Sequence, residues 1–337
     1  MTVMLDTPQL PTRSSEPRRR AAASERTASR AGTPVIHVEH VSKAYGATVA
    51  LHEVSLRVGV GEITALVGPN GAGKTTLLEI LMGVRAADHG RVEVRGADPC
   101  RDAAAIRGHL GVMFQPTALP PLATPGELLS LFRLGVPRAR DGRELLTTLG
   151  LIEYEHKTID KLTIGQKQRL ALAVALVGEP EVLILDEPTT ALDPQARRVA
   201  WDLIADPARR PSRAVLISTH SMAEAESLCS NVVLIDHGKL NAAGSPRSLV
   251  AKYCPGYRVT CDALVDDLPA LRQGLPSNTE VTEAGDTASV AVPVTNLAEA
   301  VAVVRAIGDA RGVRQLTIAT HSLDDVFLKL TGRSLRD

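Results

Sequence analysis

Apolar residues along this chain fall into short runs separated by polar, glycine- and proline-rich stretches. Residues 35–41 and 54–58 read as strands. Ile63-Thr64-Ala65-Leu66-Val67 is nearly all apolar, the pattern of a parallel strand covered on both faces. Similar runs occupy 110–114, 182–185, 214–218 and 232–235. Helical spacing covers 74–84, 165–177 and 194–205, between several of those strands. Strands alternating with helices predict an α/β fold, a mostly parallel sheet clothed by helices on both faces.

The texture changes after about residue 249. Strand patterns at 257–261, 280–283, 289–292 and 314–318, with helical patterns at 298–307 and 323–330, predict a small α+β unit. Residues 1–33 are different again. Arg13, Arg18, Arg19, Arg20, Arg26 and Arg30 stand among Ser, Ala and Pro, with little to bury. This segment reads as a disordered tail, either simply solvated or touching anionic lipid headgroups. The expected organisation is therefore a tail over 1–33, a main domain over 34–249 and an accessory domain over 250–337.

Length and composition agree with one large and one smaller domain: 337 residues, 44% of them hydrophobic. The 38 basic and 38 acidic residues cancel, and only three Phe, four Tyr and one Trp are present. Neither an electrostatic nor a base-stacking nucleic-acid surface is favoured, so no nucleic-acid partner is expected. The four cysteines share no C-x-x-C spacing, which predicts free thiols rather than a zinc site. No apolar run approaches the roughly 18–20 residues that span a bilayer, so the chain is not expected to be integral to a membrane.

The strongest chemical signal is Gly68-Pro69-Asn70-Gly71-Ala72-Gly73-Lys74-Thr75-Thr76. It fits G-x-x-x-x-G-K-[ST] and lies between an expected buried strand and an expected helix. Glycines let a backbone wrap a polyphosphate so that its N–H groups face the phosphate oxygens, and the helix start adds positive potential. Lys74 would neutralise the β- and γ-phosphates and the Thr75 hydroxyl would ligate Mg²⁺. The second signal is Val182-Leu183-Ile184-Leu185-Asp186-Glu187, an apolar strand ending in two acids. Asp186 would hold Mg²⁺ and Glu187 would accept a proton from an attacking water. Together the two motifs predict nucleotide hydrolysis, with ATP and Mg²⁺ as cofactors.

Around them stand Tyr45-Gly46, Gln115 at the end of the 110–114 strand, Leu162-Thr163-Ile164-Gly165-Gln166 before an apolar helix, Thr190-Ala191-Leu192-Asp193, and Thr219-His220. In this order and spacing the set resembles the ATP-binding cassette (ABC) ATPases over residues 35–250. The resemblance implies a P-loop ABC cassette with a helical subdomain. It implies that Tyr45 stacks on adenine, that Gln115 senses Mg²⁺ and the γ-phosphate, and that His220 contacts the γ-phosphate and orients the water. Thr163, Ile164, Gly165 and Gln166 would reach in trans to the γ-phosphate held by another cassette, with Asp193 at the seam. The family has serine where this chain has Thr163 and glycine where it has Ile164. A β-branched residue avoids positive φ, so Ile164 is expected at negative φ with its side chain turned away from phosphate.

The ending Leu323-Asp324-Asp325-Val326-Phe327-Leu328-Lys329-Leu330-Thr331-Gly332-Arg333 resembles ABC ATPases of the daunorubicin-resistance type of bacterial ABC-2 drug exporters. That implies a peripheral subunit on the cytoplasmic face of the membrane. It would pair with a second copy of itself or a related cassette, and power separate transmembrane permease subunits. An importer ATPase and a soluble ABC ATPase of translation or DNA repair remain as alternatives at this point. His321, in a second Thr-His-Ser outside the cassette, reads as structural or solvent-exposed.

Overall fold

The computed structural model describes residues 34–114, 119–134, 136, 138–206, 211–308 and 313–333. The expected tail over 1–33 and Gln115 lie outside the described residues.

Among the described residues, three sheets organise the fold. Strands β1 (Ile36–Tyr45), β2 (Thr48–Val58) and β4 (His89–Val94) make an antiparallel sheet in the order β2-β1-β4. The central sheet holds β3 (Ile63–Val67), β5 (Leu110–Met113), β6 (Val182–Asp186), β7 (Ala214–Thr219), β8 (Asn231–Asp236) and β9 (Lys239–Gly244), ordered β5-β6-β7-β3-β8-β9. Its strands run parallel except β9, which turns back on β8. Strands β10 (Tyr257–Leu264), β11 (Glu280–Ala284), β12 (Thr287–Val294) and β13 (Arg314–Thr320) form an antiparallel sheet, β11-β12-β10-β13.

The central strands read as unbroken apolar runs because both their faces are buried. Ala65, Val67, Leu183, Leu185, Val215, Ile217, Val232 and Leu234 face one core. Their neighbours Leu66, Val182, Ile184, Ala214, Leu216, Val233 and Ile235 face another. The second core is closed by Leu77, Leu78, Ile80 and Leu81 of α1 (Lys74–Leu81) and by the antiparallel sheet. After the short α2 (Ala103–Ile106) come α3 (Pro125–Arg133), α4 (Gly142–Thr148) and α5 (Ile164–Val177), which supply the expected helical subdomain. Leu128, Leu145, Leu146, Leu172 and Leu176 join it to the first core. That core also takes Ala200, Leu203 and Ile204 of α6 (Pro194–Ala205) and Met222 and Ala225 of α7 (Met222–Leu228).

The antiparallel sheet is larger than the sequence pattern predicted. β1 and β2 run on to a hairpin at Tyr45–Thr48; there buried Leu51 follows exposed Thr48 and Val49 and precedes exposed His52 and Glu53, so no regular alternation marks the strand. β4 was not anticipated because Val92 and Val94 are its only apolar residues.

The boundary expected at 249–250 falls inside α8 (Pro246–Tyr253). The C-terminal sheet then builds its own core with α9 (Leu268–Gln273) and α10 (Leu297–Gly308), through Val259, Cys261, Val290, Val292, Leu271, Ala300 and Ile307. The last helix, α11 (Leu323–Thr331), departs from that unit. Its buried Leu323, Val326 and Phe327 belong to the first core of the main domain, against α7 and α8. Polar contacts fix the same docking: Leu323 N–H donates to Glu226 (2.6 Å), and Lys329 Nζ to the Tyr253 carbonyl (2.7 Å). A helix with one apolar face packs where that face is covered, and here the cover is the main domain.

Candidate nucleotide site

The carboxyl ends of β3, β6 and β7 lie side by side in parallel register, so the residues following each strand gather at one edge of the sheet. After β3 comes the glycine-rich loop 68–73, and α1 begins at Lys74. Two glycines there have steric causes. A Cβ on Gly68 would lie 2.1 Å from the Ile235 carbonyl oxygen, and one on Gly73 (φ +102°) 2.5 Å from that of Ala50. Lys74 is buried. Its ammonium donates to the carbonyls of Gly68 (2.7 Å) and Pro69 (3.0 Å) and stands 3.8 Å from Glu187 Oε1. Burial holds the Lys74 pKa below its usual value, against the weaker opposing effect of Glu187 and then Asp186.

Thr75 Oγ1 donates to Asp186 Oδ2 at 3.0 Å. A hydroxyl beside a carboxylate at the end of a phosphate loop is a hard-oxygen donor pair, and it fits Mg²⁺. The other Asp186 oxygen accepts from the Ser218 hydroxyl, and Ser218 Oγ accepts the Glu187 N–H at 2.9 Å. Ser218 thus orients both acids. In the sequence it stands as one more residue of the 214–218 strand pattern. Only the register of β6 on β7 sets it directly opposite Asp186.

Glu187 adopts φ +48°, a left-handed conformation that costs a non-glycine residue about 1–3 kcal/mol and is kept only where surroundings enforce it. Gln168 Nε2 donates to its carbonyl (2.7 Å), Thr190 Oγ1 donates to Oε2 (3.0 Å), and His220 Nδ1 lies 3.3 Å from Oε2. Gln168 and the Thr190 hydroxyl were not anticipated from sequence. One carboxylate therefore faces the Lys74 ammonium on one side and an exposed imidazole on the other.

Tyr45, at the β1–β2 hairpin, is part-exposed, and the Arg85 guanidinium lies 5.0 Å from its ring centroid. Thr163 caps α5 in a reciprocal pair with Gln166: Gln166 N–H donates to Thr163 Oγ1 (3.3 Å) and Thr163 N–H to Gln166 Oε1 (2.9 Å). Ile164 opens the helix at negative φ with its side chain 70% exposed. Gly165 packs under the 190–193 turn, where an added Cβ would lie 3.0 Å from the Ala191 carbonyl oxygen. Among the described residues no hydrogen bond joins Thr163, Ile164, Gly165 or Gln166 to the phosphate loop of the same chain. Asp193 caps α6, and the Ala196 N–H (2.9 Å) holds its carboxyl below the usual range. His321 is largely buried, with Nδ1 3.4 Å from Asp325 Oδ2.

A family model described as ABC transporter matches residues 51–190. Nod factor export ATP-binding protein I of Ralstonia nicotianae is 35% identical over 317 residues, which cover 90% of this chain and 96% of the relative. The chain belongs to the ABC transporter family. It is an ATP-binding, ATP-hydrolysing subunit of that family. Daunorubicin resistance ATP-binding protein DrrA3 of Streptomyces coeruleorubidus is 37% identical over 311 residues, 89% of this chain and 97% of the relative. Among solved structures, an ATP-binding subunit of an ABC transporter superposes with a TM-score of 0.60 at 25% identity, covering 65% of this chain and 93% of its own. The bacterial ABC transporter cassette MJ0796, solved as a dimer, gives 0.55 at 26% identity, covering 62% and 98%. Among the described residues no helix is long and apolar enough to cross a membrane.

Proposed function

We propose that this chain is the ATP-hydrolysing subunit of a bacterial exporter. It acts at the cytoplasmic face of the membrane as a pair of cassettes, with a second copy of itself or a related subunit, and drives separate permease subunits. The observation that carries the reading is the convergence of Lys74, Asp186, Glu187 and His220 at one sheet edge. Lys74 holds the β- and γ-phosphates, together with the loop amides of Gly68, Asn70, Gly71, Ala72 and Gly73, the bend at Pro69, which has no N–H to give, and the first turn at Thr75 and Thr76. Thr75 and Asp186 are the Mg²⁺ ligands, with Gln115 assigned to the same ion by the family pattern. The ion would neutralise charge developing on the phosphate oxygens.

Glu187 is the general base. His220 fixes the geometry of its carboxylate and of the attacked phosphate, and Tyr45 offers a π-face to adenine. Thr163, Ile164, Gly165 and Gln166 serve the other cassette's nucleotide, which fits an α5 start that makes no hydrogen bond to its own loop among the described residues, and Asp193 sits at the seam. The dimeric cassette among the structural relatives supports the paired arrangement. Export is supported by the names of relatives matched along nearly their whole length. Docking on membrane subunits is supported by exposed Leu131 and Phe132 on α3, with exposed Leu122 and Leu134 beside it.

The test is a pair of variants. Lys74→Ala removes the main cation facing the polyphosphate and should abolish turnover. Glu187→Gln keeps the shape and removes the base, so turnover should fall about 10²–10⁴-fold while ATP still binds and closes the dimer. A Glu187→Gln chain that sediments as monomer with ATP and Mg²⁺ would exclude the shared-site arrangement. Substrate movement out of the cytoplasmic compartment, measured in vesicles carrying the chain with its permease, decides direction.

A further inference from the structure

Beyond the atoms that face nucleotide, one buried carboxylate on α7 is placed to act on them indirectly. Glu224 is 3% exposed and lies in the first turn of α7, whose N-cap is Ser221, the residue after His220. Its Oε1 accepts two hydrogen bonds, from the hydroxyl of the buried Thr189 at 2.6 Å and from the Trp201 indole N–H of α6 at 2.9 Å. Thr189 follows Glu187 by two residues. The turn after β6 therefore carries two threonines with different duties. Thr189 ties inward to Glu224, and Thr190 donates to the Glu187 carboxylate. Glu224 and His220 also line the same cavity of about 470 Å³, together with Thr189 and Thr190.

These contacts close a ring. The Glu187 backbone holds an unfavourable φ, so its carboxylate keeps its direction only while the turn behind it is fixed. The turn is fixed through Thr189 to α7, and α7 begins directly after the histidine that meets Glu187 at 3.3 Å. A neutral packing residue at 224 would fill the space but leave the buried Thr189 hydroxyl and the part-buried Trp201 N–H unpaired. We propose that Glu224 is a positioning residue that sets the spacing between Glu187 and His220, with Thr189 as its link and Trp201 as the second donor that holds it in place. The proposal rests on Glu187 acting as the base.

The test uses the full chain with ATP and Mg²⁺, reading kcat and KM separately. Thr189→Val deletes the link at nearly constant volume and should lower kcat about tenfold, leaving KM for ATP within about twofold because the phosphate loop is untouched. Thr189→Ser restores the hydroxyl and should keep kcat within about twofold. Glu224→Ala removes the acceptor, and the Thr189→Val, Glu224→Ala double variant should be no slower than the slower single one, because both break one link. The melting temperature and the far-ultraviolet circular dichroism check that each variant is folded. A folded Thr189→Val chain with kcat unchanged, or one that loses KM and kcat together, overturns the positioning role. Glu187→Gln separates the two readings. If that variant is slow while Thr189→Val is normal, only the role of Glu224 falls; if it turns over normally, the base assignment falls first.

Discussion

Phe327→Ala measures whether the last helix is part of the ATPase domain or an appendage to it. Phe327 is 1% exposed and sits in the first core with Leu323 and Val326. Truncating a buried phenylalanine loses its transfer energy and leaves a cavity, together about 3–5 kcal/mol. At about 2–4 °C per kcal/mol for a domain of this size, the melting temperature should fall by roughly 6–20 °C. Leu328→Ala is the internal control. It is the next residue on the same helix, but 47% exposed, so its loss should stay below about 1 kcal/mol. The assay is thermal unfolding followed through Trp201, which lies on α6 in the main domain, so a shift seen there reports main-domain stability. A Phe327→Ala shift no larger than that of Leu328→Ala would refute the shared core. Removing everything after residue 253 takes out all three side chains together. The phosphate loop is untouched, so such a chain should still bind ATP but melt lower than Phe327→Ala.

Two further substitutions test local geometry. Ile164→Gly should change the ATPase rate by less than about tenfold with the membrane partner present, because Ile164 is exposed, at negative φ, and its neighbours keep the cap. A larger gain would mean that Ile164 disables the natural site and that a second, different cassette supplies the working one. Gly73→Ala should cost nucleotide affinity at least tenfold, since its Cβ would fall 2.5 Å from a backbone oxygen at φ +102°. Unchanged ATP affinity by equilibrium titration would contradict that strain.

The sequence alone determined the parts of this protein whose physics is local. The central strands announce themselves because burial on both faces demands unbroken Val, Ile and Leu. The glycine-rich loop does so because Gly68 and Gly73 stand where a Cβ would meet a backbone oxygen, and Asp186 and Glu187 because acids at the end of an apolar strand need a reason to be there. What depends on contacts between distant residues was silent. β4 carries only two apolar residues, since its partner β1 supplies the pairing. Ser218 reads as an ordinary strand position until register sets it opposite Asp186. Glu224 reads as a helix surface charge until Thr189, 35 residues away, and Trp201 meet it in the interior. The apolar face of α11 was legible, but not its destination. A hydrophobic stripe specifies that it must be covered, and only the tertiary structure decides that α7 and α8 cover it rather than the sheet that precedes it in the chain.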